Sequence, residues 1–501
     1  MAKISAKNYK IPTEVTLVMD KLQENNYEAY LVGGCVRDIL REKDPKDWDI
    51  TTNARPEQII ELFPHTFYEN DFGTVGVVND ETKDERLKVV EVTTYRKEGE
   101  YKDKRRPEEV EFVKTVEEDL SRRDFTMNAI GLNLPIGIKD ISKGHFVDPY
   151  GGLIDIEKKQ IKCVLNATER FNEDALRIIR AVRFVGELGF TLNKETEEAI
   201  KTTKTGLEKI SEERIRDEFE KILMSQNPSV SLETSNKLGI LKYISPELVS
   251  GTGVSQTKTH KYDVFEHSIK TLQAAADKDF SLEVRLAALF HDIGKPKTKR
   301  DSKEKGKPTF YGHDVVGERV TRKTLERLKF PRKTIDTVSK LVRWHMFFSD
   351  TEEITLSAVR RLIANVGQEN VKDLINLRIC DRIGTGRPKE EPYRLRKYQS
   401  MVEEVLRDPV SVSQLKINGK DIMDKFHVKP GPRIGWILHA LLEEVLEDPK
   451  LNEKNVLEDR VEQLLKLGDQ ELKSLGKKGE ETKKTEEEKM IRKIRSKYYV
   501  E

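Results

Sequence analysis

The chain has 501 residues, of which 36% are hydrophobic and 36% are charged. This length predicts about three or four domains, and a net charge of +2 excludes a global electrostatic field that would draw nucleic acid to the whole surface. The three cysteines lie far apart without a Cys-x-x-Cys, which excludes a disulfide framework and a zinc knuckle. We expect a cytoplasmic protein without a membrane span or an evident protein partner.

The first predicted elements lead into a glycine turn. Residues 11–28 are predicted as a helix with an apolar side formed by Val15, Leu17, Val18 and Leu22. Residues 29–32 form an apolar strand, which runs into Gly33-Gly34 and then into a helical pattern. Backbone N–H groups at such a turn lie at a helix N-terminus and can approach a triphosphate. Arg37, one turn into the helix, is then available to a phosphate oxygen.

A pair of carboxylates follows on an extended segment. Asp47 and Asp49 flank Trp48, and the two-residue repeat of a strand turns both carboxylates to one side. Such a pair suits two Mg²⁺ ions, one activating an attacking hydroxyl and one holding a triphosphate. Glu91, in the β-rich run 87–95, is a candidate third carboxylate, and a solvated strand glutamate is the alternative. The succession of glycine turn and acidic pair predicts phosphate-transfer chemistry.

The segment SRRDFTMNA, residues 121–129, begins a new helical pattern after the strands of an α/β domain. Arg122 and Arg123 are placed for a phosphate or ribose contact. Asp124 and Asn128 are one helical turn apart and can bond to a sugar or to each other.

From Glu169 onward almost every pattern is helical. On a helical wheel the apolar residues from Ala175 to Val185 gather on one arc, and the opposite arc holds Asp174, Arg177, Arg180 and Arg183. A solvated arginine face is the usual explanation. Asp174 and Arg177 are nevertheless surface neighbours, and together they can present donors and acceptors to the edge of a base.

Five of the nine histidines fall between His260 and His345, which suggests a metal site. An apolar helix over residues 282–290 ends in His291-Asp292, because glycine and proline follow closely. Imidazoles and carboxylates on separate elements resemble the mixed ligand shell of a divalent metal, which can activate water against a phosphate ester. The other candidate ligands are His267, His313, His345 and Asp381.

Four motifs carry a resemblance to a known family. In chain order they are LVGGCVRDILREKDPKDWDITTNA, RRDFTMNA, DPYGGLIDI and EDALRIIRAVRF. They resemble the successive motifs of the class II tRNA nucleotidyltransferases and bacterial poly(A) polymerases over roughly residues 25–235. Residues 267–381 are similar to an HD phosphohydrolase domain, and GKDIM with KPGPRIG resembles the C-terminal domain of HD-containing CCA-adding enzymes.

The resemblance implies an α+β protein in which a polymerase-β-like α/β nucleotidyltransferase head is followed by helical domains. The expected segments are a head over 1–160, an all-α neck over 161–250 that selects nucleotide and binds RNA, an HD domain over 251–390, a C-terminal helical tRNA-binding domain over 391–467 and a charged tail over 468–501.

The resemblance also implies a role for each motif residue. Asp47 and Asp49 are expected to hold Mg²⁺ in the head. Glu91 lies outside the four motifs, and its expected role as a third catalytic carboxylate comes from its position in the strand alone. The triphosphate and ribose contact Gly33, Gly34, Arg37, Arg123, Asp124 and Asn128. The incoming base pairs with Asp174 and Arg177, and Arg180 and Arg183 support them. A second divalent metal of unspecified identity binds His267, His291, Asp292 and Asp381, with His313 and His345 as further ligands.

The expected activity is addition of C, C and A to the tRNA 3′ end from CTP and ATP without a nucleic-acid template, together with an HD phosphodiesterase or phosphatase activity. Poly(A) addition and partial addition of CC or A alone remain open, because one head serves all of them. A phosphohydrolase with an RNA-binding head is a rival from another class. A non-catalytic RNA-binding protein is disfavoured, because paired carboxylates would repel RNA.

Overall fold

The computed structural model describes residues 9–70, 73–98, 101–102, 106–107, 110–256, 262–300, 308–347, 354–386 and 389–475. These residues divide into two compact units. The first lies within residues 1–252 together with 324–330, and the second within 253–323 together with 331–501. The expected architecture, an α/β head followed by helical domains, is confirmed.

The described strands all belong to the first unit. They are β1 (Tyr30–Leu31), β2 (Asp49–Thr52), β3 (Thr66–Asn70), β4 (Thr74–Val78), β5 (Val89–Thr94), β6 (Arg96–Glu98), β7 (Tyr101–Lys102), β8 (Arg106–Pro107), β9 (Val110–Phe112), β10 (Gly131–Asn133), β11 (His145–Val147), β12 (Gln160–Ile161) and β13 (Thr191–Leu192). Seven of them form one mixed sheet in the order β11-β10-β1-β2-β5-β4-β3, in which only β2 and β5 are parallel.

The two faces of this sheet differ in chemistry. Residues with buried apolar side chains alternate along the strands with polar or small residues, as expected for a sheet packed on one side. The apolar face carries Ile50, Val75, Val77, Val90 and Val92. The opposite face carries carboxylates, threonines and a glycine from the same strands. Its polar side chains are therefore the candidates for a catalytic site.

Twelve described helices accompany the strands in the first unit. They are α1 (Thr13–Glu24), α2 (Gly34–Leu40), α3 (Pro56–Leu62), α4 (Val116–Ser121), α5 (Gly152–Glu157), α6 (Ala167–Glu173), α7 (Leu176–Leu188), α8 (Lys194–Thr203), α9 (Glu212–Met224), α10 (Pro228–Lys237), α11 (Leu241–Ile244) and α12 (Pro246–Val249). Leu17 was predicted on the apolar side of α1 but is 60% exposed. It lies two residues from Val15, about 200° around the helix, so it points away from the core.

Helix α7 is the packing centre of the helical part of this unit, because α6, α9 and α10 all contact it. Its contact with α10 is close at Gly186. A Cβ atom at this position would lie 2.3 Å from Oγ of Ser231 and 2.5 Å from the carbonyl oxygen of Asn227. Glycine therefore allows the two helices to approach to backbone contact.

The second unit is helical. Its elements are α13 (Val264–Asp277), α14 (Leu282–Phe290), α15 (Lys295–Thr298), α16 (His313–Arg327), α17 (Arg332–Trp344), α18 (Leu356–Val366), α19 (Val371–Gly384), α20 (Tyr393–Val405), α21 (Gly419–Phe426), α22 (Pro432–Glu447), α23 (Lys454–Leu464) and α24 (Asp469–Leu475). Residues 324–327, the last turn of α16, are grouped with the first unit. Helices α13, α14, α17 and α19 pack together. Of the predicted charged tail, residues 476–501 lie outside the described residues, as does His260.

The structure also describes the cysteines and the lengths of the helices. Cys35, Cys163 and Cys380 are all buried and free. Among the helices of the described residues, none combines the length and the apolarity that a bilayer crossing requires. The division into five segments stays a prediction.

Candidate active sites

The glycine turn after β1 is the point where the predicted phosphate-site residues converge. Gly33 has a φ of +77°, and a Cβ atom there would lie 3.0 Å from Oδ2 of Asp49 and 3.2 Å from Nη1 of Arg123. A Cβ atom at Gly34 would lie 3.6 Å from Nη2 of Arg37 and 3.9 Å from Oδ1 of Asp47. Two carboxylates and two guanidiniums therefore surround one turn of backbone, in which Gly33 is buried and Gly34 is half-buried.

The acidic residues lie on and just before two adjacent strands. Strand β2 begins at Asp49, so Asp47 precedes the strand and is exposed, whereas the sequence predicted both within it. Glu91 is the register partner of Asp49 on the parallel strand β5. Directly paired residues project from the same face of a sheet, so the structure brings Glu91 beside Asp49. The backbone N–H of Glu91 also donates to the carbonyl of Trp48 at 2.9 Å.

Asp119, which sequence reasoning missed, organises the arginines of this site. Its side chain is fully buried, and it accepts from Arg122 at 2.9 Å and from Arg123 at 3.3 Å. The hydroxyl of Thr51 donates to the same carboxylate at 3.2 Å. Burial favours a raised pKa for Asp119, but the two arginines outweigh it and lower the pKa. The spacing of three and four residues from Asp119 to the arginines was the available signal.

Asp124 and Asn128 form the hydrogen bond to each other that the sequence allowed, with Nδ2 of Asn128 donating at 3.1 Å. Oδ1 of Asn128 accepts from Arg37 at 3.0 Å, and Arg180 donates to Asp124 at 2.7 Å. Burial would raise the pKa of Asp124, but Arg180 and Asn128 outweigh it and lower the pKa to about 2. Asp124 therefore joins the phosphate side of the site to α7.

Asp174 and Arg177 are arranged differently from the predicted wheel. Helix α7 begins at Leu176, so Asp174 precedes it, and its carboxylate accepts from Arg214 at 2.7 Å and 3.3 Å. Arg177 is buried and donates to Glu173 at 2.7 Å. The predicted arginine face is therefore largely inside the protein, because neighbouring helices cover α7 on several sides.

Phe184 lies beneath three of the predicted nucleotide-site arginines. The guanidinium carbons of Arg37, Arg180 and Arg183 lie 5.2, 5.7 and 4.5 Å from the centre of its ring. Phe125 packs against the ring edge-on, with centroids 5.8 Å apart. Buried Phe184 thus gives cation–π support to arginines from two different helices. Nothing in the sequence pattern distinguished it from an ordinary core residue.

The predicted metal ligands of the second unit form two overlapping groups. The first consists of His267, His291 and Asp381, and the second of Asp292, His313 and His345. Within each group the ligand atoms lie within 4.8 Å of one another. All are buried except Asp381, which is half-buried. The sequence predicted one metal with His313 and His345 as additions, whereas the geometry separates the ligands into two groups.

Asp292 connects these two groups. Its Oδ2 lies 3.2 Å from Nε2 of His291 and 3.5 Å from Nε2 of His267. Its Oδ1 lies 3.5 Å from Nε2 of His313 and 3.8 Å from Nε2 of His345. One carboxylate therefore faces both groups, and Asp292 would contribute an oxygen to a cation held by either of them.

The histidine tautomers suit metal ligation. The Nδ1 atoms of His291, His313 and His345 lie 2.9, 2.8 and 2.7 Å from the backbone carbonyls of Ala288, Phe310 and Val342. Such a bond assigns the proton to Nδ1 and leaves the lone pair of Nε2 directed at the cluster. Burial lowers the pKa of His313 and, with repulsion from His291 and His313, holds the pKa of His345 well below its usual value. Neutral imidazole is the form that binds a metal.

Two cations that sequence reasoning missed complete this site. Lys295 donates to Oδ2 of Asp292 at 2.6 Å and to Gln256 at 2.7 Å, and Arg378 donates to Asp381 at 2.8 Å. Burial would raise the pKa of Asp292, but His291 and Lys295 outweigh it and hold the pKa well below its ordinary value. Burial would also raise the pKa of Asp381, but His267 and Arg378 outweigh it and lower the pKa, so both carboxylates are ionised. Lys295 follows Asp292 by three residues, which was its only signal in the sequence.

Comparison with known proteins assigns these sites to named domains. Residues 29–162 match the model of the "Poly A polymerase head domain", residues 189–251 that of the "Probable RNA and SrmB- binding site of polymerase A", and residues 264–385 that of the HD domain. Asp47, Asp49 and Glu91 fall within the first match, and the two histidine groups fall within the third.

Similar proteins extend along most of the chain. The CCA-adding enzyme of Limosilactobacillus reuteri (strain DSM 20016) is 32% identical over 459 residues, which cover 90% of this chain and 96% of that protein. The A-adding tRNA nucleotidyltransferase of Deinococcus radiodurans is 34% identical over 66% of this chain and 75% of its own. The crystal structure of the Bacillus stearothermophilus CCA-adding enzyme in complex with CTP has a TM-score of 0.66 at 29% identity, covering 90% of this chain and 96% of that one.

Proposed function

The chain belongs to the family of class II tRNA nucleotidyltransferases and bacterial poly(A) polymerases, and from this premise we propose that it adds C, C and A to the 3′ end of tRNA from CTP and ATP without a nucleic-acid template. The observation that carries the proposal is the convergence of Asp47, Asp49, Arg37 and Arg123 on the Gly33-Gly34 turn. The length-wide similarity to CCA-adding enzymes supports this substrate choice. We place the reaction in the cytoplasm, where free buried thiols persist.

In the proposed reaction the terminal hydroxyl of the RNA attacks the α-phosphate of the nucleotide in line, and pyrophosphate leaves. Asp47 and Asp49 would hold Mg²⁺, since hard carboxylate oxygens on one side of the glycine turn suit this ion. Bound Mg²⁺ supplies neutralising charge at the triphosphate and activates the attacking hydroxyl. Glu91, beside Asp49, is assigned to the acceptor side of the same centre.

Around this centre the chain's own residues bind and orient the nucleotide. The triphosphate binds to the backbone N–H groups at Gly33 and Gly34 and to the guanidiniums of Arg37 and Arg123. Helix α2 begins at this turn, and its dipole favours an anion there. Asp124 and Asn128 are assigned to the ribose. Asp119 keeps Arg123 extended toward the turn through the ion pair at 3.3 Å.

Base selection is assigned to Asp174 and Arg177, with Arg180 and Arg183 behind them. Arg214 and Glu173 hold these two side chains and fix the planes of the carboxylate and the guanidinium. A carboxylate accepts several hydrogen bonds, so Asp174 can bind the amino group of a base while it stays paired with Arg214. Protein side chains would then replace a template in choosing C or A.

The sequence of the reaction product distinguishes CCA addition from poly(A) addition and from partial addition. The experiment incubates the protein with tRNA that lacks its last three nucleotides, with Mg²⁺ and with CTP and ATP separately and together, and sequences the 3′ ends. We expect addition of CCA followed by a stop. A long A tract, or addition of only CC or only A when both nucleotides are present, contradicts the proposal.

We propose a second activity for the HD domain, hydrolysis of a 2′,3′-cyclic phosphodiester or a phosphate monoester. The observation that favours it is the bridging position of Asp292 between two ligand groups whose Nε2 lone pairs point inward. Two divalent cations would fit these groups, and when bound they supply an activated water. Lys295 and Arg378 hold the carboxylates Asp292 and Asp381 in place. Unchanged hydrolysis in a His291→Ala, Asp292→Ala protein would reject this site.

The helical segments receive matching roles. We assign residues 161–250 to nucleotide selection and RNA binding and residues 391–467 to tRNA binding. The resemblance of GKDIM and KPGPRIG, which lie on and between α21 and α22, to the C-terminal domain of CCA-adding enzymes supports the second assignment.

A further inference from the structure

A row of paired residues crosses four neighbouring strands of the sheet and begins at the catalytic carboxylates. Asp49 on β2 pairs with Glu91 on β5, Glu91 pairs with Gly76 on β4, and Gly76 pairs with Phe67 on β3. Directly paired residues share a face, so all four project from the polar face of the sheet. Phe67 is thus in line with the carboxylates, at the edge of the sheet.

The ring of Phe67 lies over Gly76. A Cβ atom at Gly76 would be 2.4 Å from Cζ of Phe67 and 2.6 Å from its Cε1, so only glycine leaves the space that the ring occupies. Neighbouring strands are about 4.8 Å apart, and the ring therefore lies about one strand spacing from Glu91 with no side chain between them. Phe67 remains 44% exposed, whereas Phe125 and Phe184 in the same unit are buried.

The in-line geometry of the transfer indicates which of the two substrates, nucleotide or RNA, lies beside the ring of Phe67. The groups assigned to the triphosphate, Gly33, Arg37 and Arg123, surround the turn after β1, on one side of Asp49. Phe67 is on the other side, beyond β5 and β4. The attacking hydroxyl must approach the α-phosphate opposite the leaving pyrophosphate. The RNA acceptor therefore enters from the side of β5, β4 and β3.

We propose that Phe67 is the stacking platform for the base of the 3′-terminal nucleotide of the RNA acceptor, with Gly76 providing the space in which its ring lies flat. This inference rests on the proposed nucleotidyl transfer and adds the subsite for the acceptor. An aromatic face binds any base, which suits an acceptor end that changes identity as each nucleotide is added. The base on the ring and the hydroxyl at Glu91 belong to one nucleotide.

The primary test compares kinetics for the two substrates in Phe67→Ala and Phe67→Leu. The RNA is tRNA lacking its last three nucleotides, and its KM is measured at saturating CTP, followed by the KM for CTP at saturating RNA. Stacking of one base changes affinity about tenfold, so we expect the KM for RNA to rise about tenfold and the KM for CTP to stay within about twofold. Phe67→Leu keeps apolar bulk for folding but lacks the π-face, and Phe67→Trp should restore the wild-type KM.

Tyr68→Ala is the matched control, because Tyr68 is the next residue, is also exposed and projects from the other face of β3. It should leave both KM values unchanged. A substrate-side control uses tRNA whose terminal nucleotide lacks its base. The wild type should bind this RNA about tenfold more weakly than the intact acceptor, whereas Phe67→Leu should not distinguish the two.

The outcomes separate this inference from the proposed function. If the wild type adds no nucleotide, the proposed function fails before Phe67 is tested. If the wild type adds CCA but Phe67→Leu keeps the wild-type KM for RNA, the stacking platform is overturned and the proposed function stands. Equal effects of Phe67→Leu and Tyr68→Ala, or discrimination against the abasic acceptor by Phe67→Leu, also overturn it.

Discussion

The two candidate metal centres are built on opposite plans. In the head, Asp47 is exposed, Asp49 and Glu91 are half-buried, and all three candidates are carboxylates on or just before two adjacent strands. In the HD domain, imidazoles and carboxylates from several helices converge, and all but one are buried. The head leaves one side of its centre for substrate to complete, whereas the HD centre is assembled before any substrate arrives.

This difference predicts which metal each centre retains. Exposed carboxylates suit a hard, exchangeable cation such as Mg²⁺, which keeps waters and shares substrate phosphate oxygens. Buried imidazoles whose Nδ1 atoms lie beside backbone carbonyls suit a more tightly held transition metal. The following predictions separate the two centres, beginning with the largest effect.

Replacing Asp47 or Asp49 by Ala should lower kcat for nucleotide addition at least about 10³-fold, because metal ligation contributes several kcal/mol to the transition state. Hydrolysis of a 2′,3′-cyclic nucleotide by the same protein should not change. Incorporation of labelled CTP and hydrolysis are measured on one preparation. Retained incorporation contradicts the assignment, and parallel loss of both activities contradicts the independence of the centres.

Metal content should report the bridging role of Asp292. Elemental analysis after dialysis should give about two tightly bound ions per HD domain in the wild type, because there are two ligand groups. His345→Ala should leave about one ion, and Asp292→Ala should leave less than one, since its carboxylate faces both groups. Equal loss in the two variants would show that Asp292 does not serve both positions. Nucleotide addition by both proteins is the control and should be preserved.

Phe184→Leu should weaken the nucleotide site of the head alone. Cation–π contacts contribute about 0.5 to 2 kcal/mol, so the KM for CTP and for ATP should each rise about tenfold while the metal content of the HD domain stays constant. Phe125→Leu removes the partner ring of the same buried pair and is the control for lost packing. Similar KM changes in the two variants would count against a positioning role for Phe184.

The smallest effect is a pH dependence of stability in the head. The pKa of Asp124 falls from 3.8 to about 2 on folding, so its contribution is fully present above pH 4 and is lost as the pH falls toward 2. Between pH 6 and pH 3 this group should lose about 1 kcal/mol of unfolding free energy. Urea unfolding of the wild type and of Asp124→Asn measures the difference, which should shrink at low pH. A constant difference contradicts the ion pair with Arg180.

The sequence predicted the parts of each site that depend on local spacing. The turn at Gly33, the acidic pair and His291-Asp292 are read from residues that are neighbours in the chain. Strand pairing was harder, and Glu91 remained one of two alternatives until β5 was found beside β2. Backbone patterns indicate where a strand lies but not which strand becomes its neighbour.

The interactions that the sequence did not predict join residues distant in the chain or depend on burial. Arg214 binds Asp174 from 40 positions away, and no periodicity links them. The wheel for α7 assumed one accessible side, but α6, α9 and α10 all contact the helix, and Arg177 and Arg183 are buried. The second ligand group of the HD domain also depends on how α16 and α17 pack. This packing places Nε2 of His313 3.3 Å from Nε2 of His345.

The contacts of the Phe184 ring have a consequence for the accuracy of nucleotide selection. Arg37 contacts the ring from α2, the helix assigned to triphosphate binding. Arg180 and Arg183 contact it from α7, the helix assigned to base selection. A mismatched base that shifts α7 would therefore also shift an arginine at the triphosphate. In the proposed reaction, a wrong choice of base would then lower the rate of transfer as well as nucleotide binding.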